Sequence, residues 1–255
     1  AAMARRLGFG EVLGLDLPGE KPGLVPSRKW KKKALNAPWL QGETVLVGIG
    51  QGYLLTTPLQ LAVMAARLGN GGVKVTPRLT RPRADSELDS ITKGSPDQDP
   101  VPESLGLLPA HLDLVRQAMT GVVNNPQGTA FKARIKTKGQ EMAGKTGTVQ
   151  VRRITKAERE EGVRKNKDIP WRERDHAMFV GFAPIDKPRY AVSVVIEHGG
   201  SGSSVAAPIA RDILAEAQRR NSAKPGILPD GEPGTVPEAQ QQVSKPKTGK
   251  SRGKG

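Results

Sequence analysis

Three strand-like segments in the second half of the chain constrain its fold more than any other feature. They span about 141–151, 177–183 and 190–197, and each is rich in apolar or β-branched residues. Only Pro184-Ile185-Asp186-Lys187-Pro188 separates the second from the third, which is the length of a hairpin connection. A helix is predicted next, from about Ser204, as its N-cap, to Arg219. This order predicts an α+β fold, in which helices pack on an antiparallel sheet. The third strand is almost wholly apolar, so both of its faces are expected to be covered.

Two helices are predicted ahead of the strands. The first begins at Thr57-Pro58-Leu59-Gln60, where Thr57 is a good N-cap, Pro58 fits the first helical position and Gln60 completes a capping box. Asn70-Gly71-Gly72 is expected to end it. The second helix is predicted from about Pro109 to Val123. Its apolar stripe has helical spacing and comprises Leu112, Val115, Met119 and Val122.

The remaining segments carry turn residues or charge rather than periodic apolar patterns. The chain opens with the end of a helix closed by Gly8, and Glu11–Leu40 is expected to be extended and rich in turns. Glycines 48, 50 and 52 alternate as G-x-G-x-G, which is not a dinucleotide fingerprint, and we expect a loop packed tightly under a pocket. Residues 80–106 are interpreted as a surface excursion, and 152–174 as a mobile, solvated loop that could alternatively be a wall- or partner-facing flap.

Composition narrows the possible partners. The formal net charge is +15, but the basic residues fall mostly in loops and the tail, and aromatic residues make up only 4%, too few for base-stacking platforms. No nucleic-acid partner is therefore expected. Three dispersed histidines and no cysteine do not suggest a metal site. His176 is expected to be structural, His198 to be a loop residue that could rim a site, and His111 to lie on the surface. We predict one packed region at 1–220 and a disordered basic tail at 221–255.

The chemically most distinctive segment is Lys145-Thr146-Gly147-Thr148, at the centre of the first predicted strand. Alternation along a strand sends Lys145 and Gly147 to one face, and Thr146 and Thr148 to the other. Gly147 has no side chain, so a ligand could lie close to the backbone there. A cationic strand with a glycine gap suits an anionic, peptide-like substrate. By itself, however, a K-T-G string is more often an ordinary strand with a solvated lysine.

Several strings in a fixed order give this segment a context. They are Gly48-Ile49-Gly50-Gln51-Gly52-Tyr53 with Thr57-Pro58-Leu59-Gln60, Val122-Val123-Asn124-Asn125-Pro126-Gln127-Gly128-Thr129-Ala130, Ala143-Gly144-Lys145-Thr146-Gly147-Thr148-Val149-Gln150, Asp175-His176-Ala177-Met178-Phe179-Val180-Gly181-Phe182-Ala183-Pro184, and Glu197-His198-Gly199-Gly200-Ser201-Gly202. Together they resemble class B penicillin-binding proteins of the elongation type, penicillin-binding protein 2, over roughly residues 1–218. The resemblance implies the serine β-lactamase/transpeptidase-like fold, present only in part. Class A β-lactamases also use K-T-G, but the flanking strings match the transpeptidases better.

The resemblance implies a peptidoglycan D,D-transpeptidase, in which a serine attacks a D-alanine carbonyl of a stem peptide and an amine from a neighbouring stem then takes the acyl group. β-Lactams acylate the same serine, and no cofactor is needed. Lys145 and Thr148 would be the catalytic residues, with Lys145, Thr146, Gly147 and Thr148 binding the substrate. The Thr148 backbone N–H would be one oxyanion-hole donor. A membrane-anchored parent at the periplasmic face of the inner membrane and a glycosyltransferase partner are also implied.

The sequence departs from the family at the nucleophile. The S-x-N motif is absent, and S-x-x-K occurs only as Ser90-Ile91-Thr92-Lys93 in the polar excursion and at Ser244 and Ser251 in the tail. Nothing in those settings would desolvate a lysine so that it could act as a base. We therefore expect a C-terminal fragment of the transpeptidase domain that is inactive alone and poorly soluble. The alternative is a non-catalytic peptidoglycan- or partner-binding module with the same fold.

Overall fold

The structure is a computed structural model that describes residues 1–15, 18–79, 103–152 and 154–222. Its elements in chain order are α1 (Ala2–Arg6), α2 (Arg28–Leu35), α3 (Gln41–Gly48), α4 (Pro58–Gly69), α5 (Pro109–Asn124), β1 (Ala143–Val149), α6 (Lys156–Glu161), β2 (His176–Ala183), β3 (Tyr190–Ile196) and α7 (Ala207–Ser222). The chain divides into a compact unit at Ala1–Gln218 and a second at Arg219–Gly255. Most of the predicted tail and of the surface excursion, with Ser90, lies outside the described residues. Among the described helices, none is long and apolar enough to cross a membrane.

The three predicted strands form one antiparallel sheet in the order β1-β2-β3. Lys145 is paired with Val180, and Phe179 with Val194. The sheet and its helices confirm the predicted α+β fold. The prediction for β3 was wrong, because Val192 and Val194 are buried whereas Ala191 on the opposite face is exposed. The strand is apolar by composition, but only one of its faces is consistently covered.

The main core lies between one face of the sheet and the helices that cover it. It contains residues of α5, β2, β3 and α7 together with the chain that links α5 to β1, including Val123, Phe179, Val192, Val194, Ala210, Leu214 and Met142. A smaller cluster on the other face joins Phe182 and Ala143 to Met119 of α5, with Leu68 of α4 beside it. Each face of the sheet therefore has its own helical cover, which fixes β1 on both sides near its first residue.

Two paired glycines accommodate the ring of Phe179. Gly144 is opposite Gly181 in the sheet, and the Phe179 side chain lies across both. A methyl group on Gly144 would be 2.2 Å from Phe179 Cζ and 2.6 Å from the Val180 carbonyl oxygen. Phe179 is fully buried. The glycine that precedes Lys145 is therefore required by packing, and it sets the path of the strand just before the K-T-G segment.

The two predicted helices form with nearly the predicted limits. The Thr57 side chain accepts a hydrogen bond from the Gln60 N–H, and the Gln60 side-chain oxygen accepts one from the Thr57 N–H. Gln60 is 1% exposed, and its Nε2 also donates to the carbonyls of Glu11 and Pro22, each at 2.9 Å. In α5, Leu112 and Met119 are buried as predicted. Val115 was also predicted to be buried, but its side chain is 39% exposed. Val123 is fully buried instead.

Two predictions in the first third of the chain were wrong. Residues 28–35 are helical rather than extended, because Ser27 caps the Trp30 N–H and Lys31 is buried against Glu43 of α3. The stretch from Gln41 to Gly48 is also a helix. The alternating glycines do not pack tightly, since a side chain on Gly48 or Gly50 would meet nothing within 4 Å.

The highly charged stretch at 152–174 contains regular structure. Within its described residues are α6 and the 3₁₀ turns Asn166–Asp168 and Trp171–Glu173. Ile169 is buried, so the segment has an anchor in the core. A π-helical turn at Gly202–Ala206 precedes α7, and its cap is Ser201 rather than the predicted Ser204, because Ser201 Oγ accepts from the Ser204 N–H.

Candidate active site

Strand β1 carries the K-T-G segment at the edge of the described sheet. It pairs with β2 on one side, and among the described residues no strand pairs with its other side. Lys145 and Thr148 are exposed, whereas Thr146 is partly buried. The Lys145 ammonium group donates to the Thr146 carbonyl oxygen at 2.7 Å. Its remaining N–H groups can serve a ligand, because an ammonium group carries three donors.

The turn after α5 is fixed to the beginning of β1. The Asn124 side-chain amide donates to the carbonyl oxygens of Thr120, at 3.1 Å, and Met142, at 3.0 Å. The first bond lies within α5, and the second joins the end of α5 to the residue before β1. Asn124 therefore sets the distance between the helix end and the strand on which Lys145 lies.

Within the turn, the tight packing of Gly128 determines where the next residue, Thr129, is placed. A methyl group on Gly128 would lie 2.4 Å from the Gly121 carbonyl oxygen and 2.3 Å from that of Val122, so only glycine fits without displacing the helix end. The next residue then places its hydroxyl beside β1, and Thr129 Oγ1 lies 3.1 Å from Thr146 Oγ1. Thr129 belongs to one of the sequence segments that carry the family resemblance, but it is not among the predicted site residues. Only the fold brings it to the strand.

A cavity of about 350 Å³ opens between this turn and β1. Lys145 is its cationic lining residue, and the rest of the lining comes from the end of α5 and the turn: Gly121, Val122, Asn125, Gln127, Gly128 and Thr129. The arrangement joins one ammonium group to hydroxyl and amide groups on one side of an open strand. It suits a small anionic group attached to an extended chain.

Gly147 lies between Met178 and the π-helical turn. A methyl group on Gly147 would be 3.3 Å from Met178 Cβ, while one on Gly202 would be 2.4 Å from the carbonyl oxygens of both Gly147 and Met178. The backbone of the K-T-G segment is therefore supported from behind by the Gly202 backbone. The predicted closeness of a ligand to Gly147 stays a prediction.

The two histidines near the end of the sheet interact with each other. His176 Nδ1 accepts a hydrogen bond from the His198 backbone N–H at 2.9 Å. His198 Nδ1 lies 2.9 Å from the Arg174 carbonyl oxygen, so this nitrogen carries the proton. The His198 ring also packs edge-on against Trp171, with centroids 4.4 Å apart. Both rings hold the beginning of β2 in place, where His176 is the first residue. The described residues contain no group of three or more side chains that could hold a metal.

The chain that leaves β1 is ordered by an ion pair. Arg152 binds both carboxylate oxygens of Glu158, with Nη1–Oε2 at 2.6 Å. This hydrogen-bonded contact is the main reason that the pKa of Glu158 is lowered from 4.5 to about 2. The Arg164 backbone N–H and guanidinium lie on the same carboxylate. Glu158 thereby ties both ends of α6 to the exit of β1.

Comparisons with known proteins agree with this geometry. Residues 1–215 match the model of the penicillin binding protein transpeptidase domain. The peptidoglycan D,D-transpeptidase MrdA of Salmonella typhimurium is 38% identical over 214 residues, which are 83% of this chain and 33% of that protein. MrdA of Escherichia coli is 36% identical over 200 residues, or 78% of this chain and 30% of that protein.

Solved structures give the same relationship. A crystal structure of Pseudomonas aeruginosa PBP2 in complex with WCK 5153 superposes with a TM-score of 0.66 at 40% identity, covering 85% of this chain and 42% of that one. PBP2 of Helicobacter pylori, in a complex with MreC, gives a TM-score of 0.66 at 29% identity, with coverages of 86% and 35%. The chain thus spans about a third of the length of the curated relatives that it matches. It belongs to the transpeptidase-domain family of the penicillin-binding proteins, and the relatives named here place it beside the PBP2 (MrdA) type.

Proposed function

We propose that this chain forms the substrate-binding strand and part of the oxyanion hole of a peptidoglycan D,D-transpeptidase that acts in cell-wall elongation. The observation that carries the proposal is the position of Lys145 on a strand whose second edge is unpaired among the described residues, beside a cavity that it shares with Thr129. A stem peptide ends in a carboxylate and presents an extended backbone. An open strand edge can pair with such a backbone, while the ammonium group binds its terminal charge.

Each residue of the K-T-G segment has a separate part in this proposal. Lys145 binds the carboxylate of the terminal D-alanine, and the Thr146 hydroxyl donates a hydrogen bond to it. Gly147 keeps the strand accessible. The Thr148 backbone N–H donates to the carbonyl oxygen that becomes negative as the acyl-enzyme forms. Removing one oxyanion-hole donor typically raises the barrier by about 2.7–4 kcal/mol.

The nucleophilic serine is proposed to come from a part of the domain that this sequence does not include. The chain spans about a third of its curated relatives, S-x-N does not occur in it, and no S-x-x-K lies within the described residues. In the complete site, the serine attacks the penultimate D-alanine carbonyl and D-alanine leaves with a proton. The amine of a second stem peptide then displaces the serine and forms the cross-link. β-Lactams would acylate the same serine.

The same family relationship supports a proposal about where the complete protein is located and with which kind of enzyme it acts. We propose a membrane-anchored parent at the periplasmic face of the inner membrane, because the glycan strands that it would cross-link lie outside that membrane. A glycosyltransferase that supplies new strands is the proposed partner. Co-purification of the complete protein with such an enzyme from detergent-solubilised membranes would test this point, and recovery in the soluble cytoplasmic fraction alone would contradict it.

The binding proposal can be tested with the chain as it is. The ligand is diacetyl-Lys-D-Ala-D-Ala, compared with the same peptide ending in an amide, and binding is measured by calorimetry. We expect the acid to bind about ten- to a hundredfold more tightly than the amide, since a hydrogen bond to a charged group contributes about 1.5–3 kcal/mol. Lys145→Ala should remove that preference. Lys187→Ala, an exposed lysine in the β2–β3 hairpin, is the matched control.

Equal affinity for the acid and the amide would overturn the proposal, as would a preference that survives Lys145→Ala. Fluorescent penicillin tests the nucleophile separately. We expect no covalent adduct on the 255-residue chain. An adduct that maps to Ser90 would place the nucleophile within this sequence.

A further inference from the structure

We propose that Thr129 is a positioning residue that turns the Thr146 hydroxyl toward the bound carboxylate. The inference rests on the proposed function and adds a residue to it. Thr129 lies outside the K-T-G segment, 17 residues before Thr146, with its hydroxyl oxygen 3.1 Å from that of Thr146. The contact is the only side-chain hydrogen bond of the K-T-G threonines within the described part of the chain.

The turn that carries Thr129 is held from both sides. Ahead of it, the Gly128 N–H donates to the Asn125 carbonyl at 2.8 Å, and the Gln127 N–H to the Asn125 side chain at 2.9 Å. After it, the Ala130 N–H donates to the Val122 carbonyl at 3.0 Å, and Ala130 is 1% exposed. A residue between two such anchors has little freedom to move away. The hydroxyl of Thr129 is therefore presented to β1 by the backbone.

The chemistry of hydroxyl groups fixes the direction of this hydrogen bond when a carboxylate binds. Each hydroxyl has one hydrogen to donate, and an ionised carboxylate only accepts. If Thr146 donates to the ligand, its oxygen must accept from Thr129. The sequence of donors then runs from Thr129 to Thr146 to the carboxylate. Hydrogen bonds in such a chain polarise one another, so the last one becomes stronger.

The cavity provides the second reason to assign Thr129 to ligand binding. Thr129 and Lys145 line the same space of about 350 Å³. An anion held by the Lys145 ammonium group would occupy the cavity that Thr129 also lines, and the Thr129 hydroxyl is hydrogen-bonded to that of Thr146. Thr129 is thus placed to act on an anion bound by Lys145, in addition to its place in the turn.

A double-mutant cycle separates this role from a structural one. The variants are Thr129→Val, which keeps the shape without the hydroxyl, Thr146→Val, and the two together. Thr129→Ser restores the hydroxyl on a smaller side chain. Affinity for diacetyl-Lys-D-Ala-D-Ala and for its C-terminal amide is measured on the full chain, with thermal unfolding in parallel.

We expect Thr129→Val to weaken binding of the acid about three- to tenfold, to leave the amide unchanged, and to have no further effect once Thr146 is valine. Thr129→Ser should return affinity to within about twofold of the original. If the acid binds with dependence on Lys145 but Thr129→Val has no effect, the positioning role is wrong while the proposed function stands. Equal losses for the acid and the amide, or additive effects of the two valines, would also overturn it. If the parent chain does not distinguish acid from amide, both proposals fail together.

Discussion

At the scale of single residues, glycines 144, 128 and 202 define the site as much as its polar groups do. Each lies where a methyl group would be within 2.4 Å of another atom, and each is next to a feature that the site uses. Gly144 precedes Lys145, Gly128 precedes Thr129, and Gly202 supports Gly147. Substitution at these positions should therefore change the position of neighbouring functional groups, even though no functional atom is altered.

Gly144→Ala is expected to lower the free energy of unfolding by about 1–3 kcal/mol, because overpacking a filled core forces side chains and backbone to shift. The added methyl group would meet the Phe179 ring and the Val180 carbonyl. Urea denaturation followed by circular dichroism measures the change. Gly42→Ala is the control, since Gly42 lies in α3 with nothing within 4 Å of an added methyl group. Alanine there should stabilise by up to about 1 kcal/mol. Equal effects of the two changes would contradict the packing argument.

At the scale of elements, α4, α5 and the three strands could be predicted from sequence, whereas the contacts that join separate elements could not. Thr57-Pro58-Leu59-Gln60 carries its own start signal, so α4 was placed within a residue. The helix α2 was missed because its basic sequence looks solvated, and the burial of Lys31 depends on Glu43 of another helix. Thr129 was missed for the same reason, since its partner is 17 residues away.

The segment around α6 gives a pH prediction at this scale. The pKa of Glu158 is lowered from 4.5 to about 2 by its contact with Arg152, so the stabilisation is fully present above about pH 4.5 and is lost as the pH falls toward about 2. The excess stability of the parent chain over Glu158→Gln should therefore be constant above pH 5 or so and shrink below it.

Glu160→Gln is the matched control on the same helix. Glu160 is 67% exposed, and its ion pair is weak because Oε1 lies as far as 3.8 Å from Lys156 Nζ. It should leave the acid limb of the stability curve nearly unchanged. Thermal unfolding at a series of pH values makes the comparison. A parent chain and Glu158→Gln variant with parallel curves through this range would show that the ion pair does not stabilise the fold.

At the scale of the whole molecule, the described surface retains apolar side chains that a compact domain would normally cover. Val45 and Ile49, one turn apart along α3 and its end, are 64% and 68% exposed, and Leu55 is 60% exposed. Exposed apolar patches of this kind favour association. Poor solubility, expected from the loss of packing partners, stays a prediction, and we expect association to occur through these exposed residues.

Replacing Val45 and Ile49 together by glutamate is expected to shift the chain from associated species toward monomer, because charge on the patch opposes contact between copies. Sedimentation velocity at several concentrations measures the change. Leu114→Glu is the control, because Leu114 is equally exposed, at 67%, but lies on α5. The explanation would be wrong if the control dissolved associated species as well as the double variant does.

The contact of Gly202 with Gly147 also has a consequence for how this protein can vary. Two backbones touch there without an intervening side chain, so the spacing between the strand and the turn before α7 cannot be adjusted in small steps. The smallest change that mutation offers at Gly202 is a methyl group, and it would lie 2.4 Å from two carbonyl oxygens. Inherited variation in ligand preference is therefore expected to accumulate at Asn125 and Gln127, two exposed residues that line the cavity, where single substitutions can alter its shape by small amounts.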